Sequence, residues 1–415
     1  MVPESINNTV ICVLGLGYVG LPLAEAFSHH VQTIGYDIDK KKVNQIIASG
    51  SKVKATCDPQ IIRNADVIMI CVPTPVTKAK DPDLGPVKSA STIIGQNIKK
   101  GVIVVLESTV FPGATEEILV PILEAESGMK CGVDFFIGYS PERINPNDDK
   151  HTIKKITKIV AGMDDQTTKI LTSLYSLITN VYEAPNIRTA EAAKVIENIQ
   201  RDLNIALINE LALIFDRMKL DTQAVLDAAG TKWNFHHYTP GLVGGHCIPV
   251  DPYYLVMKAE EFGYHPQIIL AGRAINDSMP HHIANLTIKG LNEAGKVLKD
   301  SRVLIMGVTY KEDVPDIRES PVTDIIRELK EYHIKVYGYD PLISSEMIER
   351  FGITALSKLG EKMDAIIIAA PHTLFRKMQI HEFCSLMRGY PVLVDVKGIL
   401  GLDVGASIEI YYKKL

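Results

Sequence analysis

Few sequence features narrow the choice of fold as far as Gly15-Leu16-Gly17-Tyr18-Val19-Gly20, set between a β-branched run at residues 9–14 and a helix-prone run at residues 21–29. A Gly-x-Gly-x-x-Gly turn from strand into helix lets the backbone approach a pyrophosphate, and the helix N-terminus adds N–H groups and the positive end of its dipole. A bare match is weak. Here a second strand, residues 33–36, ends in Asp37, about 20 residues on, the spacing of an acid that bonds adenosine ribose hydroxyls. Gly15, Gly17, Tyr18, Val19, Gly20 and Asp37 are thus candidate dinucleotide contacts, and Asp37 should repel a 2′-phosphate and select NAD. Lys40, Lys41 and Lys42 could hold that phosphate, but the reading adopted is a solvated helix face. Strands at residues 67–72 and 102–106 end in Pro73-Thr74-Pro75 and Glu107-Ser108-Thr109, and ligands bind at such strand ends.

The plan then repeats. Residues 302–307, 335–340, 364–370 and 392–395 read as four strands in the same order, and Gly338-Tyr339-Asp340 echoes Gly35-Tyr36-Asp37. The expected class is α/β: two doubly wound Rossmann-like domains joined by a long central helix and a helical dimerisation domain. The first turn of the repeat, Val308-Thr309-Tyr310-Lys311, lacks the glycine fingerprint, so a second dinucleotide is not expected there. Lys311 could meet a phosphate instead.

Residues 189–220 contain neither Pro nor Gly and read as one helix. Lys194, Asn198 and Arg201 share a face of it, and the apolar Val195, Ile196, Ile199, Leu203 and Leu207 leave little of it for water. The polar stripe is therefore expected to line a cleft between domains, and a homodimer across this helix is expected.

With 415 residues the chain needs two or three domains, and a net charge of −5 argues against a general nucleic-acid binder. Six scattered cysteines without CxxC spacing indicate a reducing compartment, with neither structural zinc nor disulfides. His236, His237 and His246 have no carboxylate or cysteine spacing that would complete a zinc site, so no metal is expected. Apolar runs are too short to span a bilayer, and the N-terminus lacks a signal-peptide layout. The reading is a cytoplasmic enzyme.

Cys247 lies in Gly244-Gly245-His246-Cys247-Ile248-Pro249-Val250-Asp251-Pro252. A lone cysteine is commonly a small buried apolar residue. Preceding glycines and an acid four residues on favour a reactive thiol, and a thiol beside a hydride acceptor suggests oxidation of an alcohol through aldehyde and thioester to carboxylate.

Six segments together resemble the UDP-glucose/GDP-mannose dehydrogenase family: residues 15–22, Tyr139-Ser140-Pro141-Glu142-Arg143, Ala190-Glu191-Ala192-Ala193-Lys194 with Glu197-Asn198, Asn204-Ile205-Ala206-Leu207-Ile208-Asn209-Glu210, the cysteine loop, and Arg318-Glu319-Ser320-Pro321. The resemblance covers nearly the whole chain. It implies an NAD-binding Rossmann domain (residues 1–188), a central helical dimerisation domain with the cysteine loop (189–298) and a C-terminal domain binding the UDP-sugar (299–415). It also implies a four-electron oxidation of a sugar C6 hydroxyl with two NAD. The chain is most similar to the branch acting on UDP-N-acetylhexosamines for surface polysaccharide: the UDP-glucose branch has a second glutamate four residues after the first, where Pro146 stands here, and the N-acetylmannosamine enzymes have a longer approach to the cysteine loop.

Chemistry and resemblance together assign expected roles. Cys247 is the nucleophile, in a loop whose Gly244 lies against substrate. Lys194 relays the C6 hydroxyl proton and steadies charge on that oxygen, with Asn198 donating to the same region. Asp251 positions the hydrolytic water, Glu142 is a further carboxylate candidate, and Thr74 and Thr109 lie against the cofactor, Thr109 also near the reacting carbon. Arg143, Arg201 and Lys311 are candidates for the diphosphate, and Arg318 for the cofactor. Each cation could equally form a surface ion pair. The rivals are a UDP-glucose or UDP-N-acetylmannosamine 6-dehydrogenase, a two-electron 3-hydroxyacid-type dehydrogenase, and a catalytically idle NAD-binding sensor.

Overall fold

The computed structural model describes residues 8–77, 79–143, 152–401 and 409–415. The chain forms two compact units, Met1–Asn198 with Val250–His265, and Ile199–Pro249 with Pro266–Leu415. The first contains strands β1 (Val10–Leu14), β2 (Gln32–Tyr36), β3 (Lys54–Thr56), β4 (Val67–Ile70), β5 (Ile103–Leu106), β6 (Phe136–Tyr139), β7 (Thr157–Gly162) and β8 (Asn180–Glu183). They form one sheet in the order β3-β2-β1-β4-β5-β6-β7-β8. All neighbours are parallel except β6 and β7. Ile11 and Val13 of β1 pack into one apolar cluster and Cys12 and Leu14 into another, so the sheet is covered on both faces.

The second unit holds β9 (Arg302–Met306), β10 (Lys335–Tyr339), β11 (Thr354–Ala355), β12 (Ala365–Ile368), β13 (Val392–Asp395) and β14 (Tyr411–Lys414). Their order is β11-β10-β9-β12-β13-β14, parallel throughout. Val303 and Ile305 bury on one side, Leu304 and Met306 on the other. In both sheets the first three strands lie on one side of the crossover and the later ones on the other, which opens a crevice at the ends of β1 and β4, and of β9 and β12.

The long helix runs Ile187–Met218. It begins where Asn186 Oδ1 accepts the Thr189 N–H at 2.8 Å and ends where Lys219 turns left-handed at φ 59°. Among the described residues no helix is long and apolar enough to cross a membrane.

Candidate active site

Each fingerprint glycine has its own reason. Gly15 has φ 87°, and a Cβ there would lie 2.6 Å from the Cys71 carbonyl oxygen; one on Gly20 would lie 1.9 Å from the Gly15 oxygen. A Cβ on Gly17 would meet nothing within 4 Å. The outer two glycines let strand and helix close on each other, and the middle one leaves the helix N-terminus of Gly20–Ser28 open for a diphosphate. Asp37, buried at the end of β2, accepts Leu16 N–H at 2.8 Å through Oδ2 and Asp39 N–H at 2.9 Å through Oδ1. Lys42 Nζ is also 2.8 Å from Oδ2. Burial opposes ionisation of Asp37, but these donors outweigh it and hold its pKa below the ordinary carboxylate value. Lys42 therefore departs from the expected solvated face, because a half-exposed amine gains more from a buried carboxylate than from water alone. These residues fit a dinucleotide.

Thr74 and Thr109 lie on adjoining loops that Ser108 ties together, its Oγ donating to Val72 O at 2.6 Å. Tyr254, not singled out from sequence, is buried and donates to Pro75 O at 3.0 Å, with Thr74 as a second partner. Next along the sheet, buried Lys158 pairs with buried Glu107, which also takes the Tyr175 hydroxyl. Lys158 Nζ donates to Pro141 O at 3.0 Å and Ser140 O at 3.3 Å, so this pair fixes the turn that carries Glu142 and Arg143. No local sequence signal marks Lys158; only its burial in β7 does. Arg143, a diphosphate candidate, has its guanidinium on Glu197 at 2.8 Å and Thr157 O at 2.6 Å, the ion-pair alternative. Pro146 lies outside the described residues.

Lys194, Asn198 and Asp251 come together. Lys194 is 8% exposed, and Asn198 Nδ2 donates to Asp251, the first residue of the helix Asp251–Glu261. One of the two Asn198 Nδ2 hydrogens is thus engaged by Asp251. Burial pushes the Asp251 carboxyl up to about 6, against the Lys194 charge and the Asn198 hydrogen bond. Glu191, one turn earlier, is pushed up to about 7 by burial, against Thr115 Oγ1 at 2.6 Å and the N–H groups of Gly113 and Thr115.

In the second unit Cys247 is exposed. Its loop packs on the Arg318-Glu319-Ser320-Pro321 segment: Gly245 N–H donates to Glu319 O at 3.2 Å, and a Cβ on Gly244 would lie 2.6 Å from Pro321 Cδ. Gly245, at φ 86°, leaves only 2.8 Å between a Cβ and the Tyr310 ring, and His246 sits edge-on to that ring. Two motifs far apart in sequence are thus one structure, with Tyr310, which no sequence motif singles out, as its floor. Arg318 is held bidentate by Asp316, and its charge is felt at Cys247. Lys311 is half-buried, with its carbonyl accepting Thr309 Oγ1 at 3.0 Å, whereas Arg201 is exposed on the long helix.

Residues 9–54 and 45–183 match the NAD binding domain of the UDP-glucose/GDP-mannose dehydrogenase family, residues 188–278 its central domain and 304–402 its UDP binding domain. The chain belongs to this family. It is an NAD-dependent nucleotide-sugar dehydrogenase. It is 46% identical over 411 residues to the UDP-N-acetyl-D-glucosamine 6-dehydrogenase of Pseudomonas aeruginosa, covering 95% of this chain and 97% of that one. Identity is 44% to the enzyme of the same name from Salmonella typhi, with the same coverage, and 32% to the UDP-N-acetyl-D-mannosamine dehydrogenase of Pyrococcus horikoshii, covering 94% and 96%. Among solved structures, a UDP-D-ManNAc dehydrogenase from P. horikoshii superposes with TM-score 0.87 at 29% identity, covering 98% of each chain.

If Asp251 acts as a carboxylate, the dehydrogenase should lose kcat below about pH 6, and Asp251→Asn should remove that limb as well as lowering the plateau. Stability should run the other way. The folded chain holds this proton more tightly than the unfolded one, so the group's contribution is present below about pH 4 and lost as pH rises through about 6. A kcat profile whose acid limb is identical in Asp251→Asn would remove Asp251 from the chemistry.

Proposed function

We propose that this enzyme oxidises the C6 hydroxyl of a UDP-N-acetylhexosamine to the uronic acid, in the cytoplasm and for surface polysaccharide, through a thioester on Cys247. One observation carries the substrate class. Identity is 46% and 44% to the two UDP-N-acetyl-D-glucosamine 6-dehydrogenases but 32% to the mannosamine enzyme. NAD, when bound, supplies the hydride acceptor, two equivalents per sugar.

The residues divide the remaining work. Lys194 takes the C6 hydroxyl proton as the alcohol becomes an aldehyde, and its charge steadies the oxygen. The Cys247 thiolate adds to the aldehyde carbon, giving a thiohemiacetal whose loss of a second hydride and a proton leaves a thioester. Asp251 orients a water that adds to the acyl carbon; the thiol leaves and the carboxylate forms. Asn198 fixes Asp251 and Glu142 lines the sugar end. Gly15, Gly17, Tyr18, Val19, Gly20, Asp37, Thr74 and Thr109 hold the cofactor, while Gly244, Arg143, Arg201, Lys311 and Arg318 are the remaining contacts to substrate or cofactor. Glu197 and Thr157 O take three of the five Arg143 N–H donors, which leaves two for a diphosphate.

We also propose a homodimer built on the long helix. Ile196, Leu207, Ile214 and Met218 are each 41% to 59% exposed, and at about 100° per residue they fall within about 40° of one another. A stripe of this kind on a monomer surface calls for a partner, and a second copy meets it with itself.

Assayed with NAD, UDP-GlcNAc or UDP-GalNAc should be preferred over UDP-glucose and UDP-ManNAc and yield about two NADH per sugar. A preference for UDP-glucose would overturn the substrate, and one NADH per sugar the four-electron course. Cys247→Ser should bind substrate yet lose turnover by several orders of magnitude, because a hydroxyl supplies almost no anion; two NADH per sugar at normal rate would exclude the thioester. Leu207→Asp with Ile214→Asp should sediment as a monomer of much reduced activity, an outcome ruled out in advance if the unmodified enzyme is already monomeric at micromolar concentration.

A further inference from the structure

We propose that Asn209 is a positioning residue for the nucleophile, setting the corner from which the Cys247 loop departs. The inference rests on Cys247 being that nucleophile. Asn209, in the Asn204–Glu210 motif that takes no part in the proposed chemistry, is fully buried in the second unit. Its amide pairs with the backbone of one residue in both directions: Oδ1 accepts Gly241 N–H at 2.7 Å, and Nδ2 donates to Gly241 O at 3.0 Å. A side-chain amide here replaces the neighbouring strand that a loop lacks.

The orientation of that amide is itself dictated. Asn276 Nδ2 donates to Asp202 Oδ1 at 2.8 Å and to Asp202 O at 3.0 Å, which turns Asn276 Oδ1 toward Asn209 Nδ2, 2.8 Å away. Asp202 can only accept, because Arg273 NH1 lies 2.6 Å from the same Oδ1. The guanidinium thus fixes the carboxylate, the carboxylate one amide, and that amide the next. All four side chains are buried, so a wrong orientation would strand a polar group away from water.

Gly241 has φ 155°, and a Cβ there would lie 2.5 Å from Lys397 Nζ, which donates to Pro240 O at 2.9 Å. The corner is therefore gripped from two sides. Further on, Gly245 is tied to Glu319 O and stacked on Tyr310, so the cysteine follows a span anchored at both ends. Release of the first anchor leaves the thiol in place chemically but not in register, and misplacement of about 1 Å can lower a rate by about 10²-fold.

Asn209→Asp keeps the shape and loses the donor to Gly241 O. It should lower kcat by about 10²-fold while KM for NAD and UDP-sugar stays within about threefold, and change the rate of Cys247 alkylation by iodoacetamide, read by peptide mass, by at least about fivefold. Lys397→Met loosens the same corner without opening the buried amides and should move both readouts the same way by less. Leu329→Ala, a buried core truncation in the same unit, controls for stability: with a comparable fall in Tm it should leave alkylation unchanged. Normal kcat in Asn209→Asp and Lys397→Met, or a lowered kcat with alkylation as in the unmodified enzyme, would overturn the role of Asn209. If Cys247→Ser kept normal turnover, the nucleophile itself would fall, whatever alkylation showed.

Discussion

In each unit a carboxylate at the end of the second strand holds the turn after the first strand, and the ligand site takes its form from that bond. Asp37 Oδ2 accepts Leu16 N–H at 2.8 Å; Asp340 Oδ2 accepts Val308 N–H at 2.9 Å. Gly15 N–H reaches Tyr36 O and Gly307 N–H reaches Tyr339 O, both at 2.9 Å, and both glycines have left-handed φ and a carbonyl of the neighbouring strand end in the space a Cβ would need. Beyond the turn the two units differ. In the first unit Gly17 leaves open space; in the second, Thr309 and His372 close on the acid, with His372 Nε2 3.0 Å from Asp340 Oδ2 and its Nδ1 accepting Asp313 N–H at 2.9 Å. One scaffold is thereby left open for a dinucleotide while its repeat is closed by its own side chains. The first unit carries the match to the family's NAD binding domain and the second the match to its UDP binding domain.

The two frames also share their cost. A carboxylate taken out of water needs partners, and removing one partner of a buried pair costs about 3–5 kcal/mol, far more than the intact pair contributes. Lys158 and Glu107 illustrate it: both are buried, and each would be stranded without the other. Their return is geometric, since the same ammonium holds two carbonyls of the turn before Glu142. Arg273 and Asp202 stand in the same relation to the amides beneath the cysteine loop.

Period and turn chemistry were legible in the sequence: the fingerprint, Asp37, the repeated Gly-Tyr-Asp and the long helix fall within one to three residues of their observed bounds. Three-dimensional partnership was not. Lys42 on Asp37, Arg143 on Glu197 and Asn198 on Asp251 all join residues whose types suggested a ligand or water, because spacing along the chain carries no information about which opposite charge folds against it. Neither β3, β6, β11 and β14 nor β7 and β8 are named from the sequence, and for the last two the reason is related. Their residues Lys158, Glu183 and Asn180 break the apolar run by which the eight named strands are recognised, and Lys158 is tolerable in a core only because Glu107 is there.

The long helix shows how far such partnership can invert a pattern. Glu191, Lys194, Asn198, Asp202 and Asn209 fall within an arc of about 80°, the arrangement of a face turned to water. All are buried or half-buried instead: Glu191 on Thr115, Asn198 on Asp251, Asp202 on Arg273, Asn209 on Gly241. The opposite side carries the exposed Ile196, Leu207, Ile214 and Met218. Four of these five polar side chains meet hydrogen-bond partners, and that fixes the rotation of the helix about its axis more tightly than apolar packing would, since methyl groups tolerate rotation and hydrogen bonds do not. The residues proposed for chemistry gain their registration from this, and the apolar side is left facing outward as a consequence of the same choice.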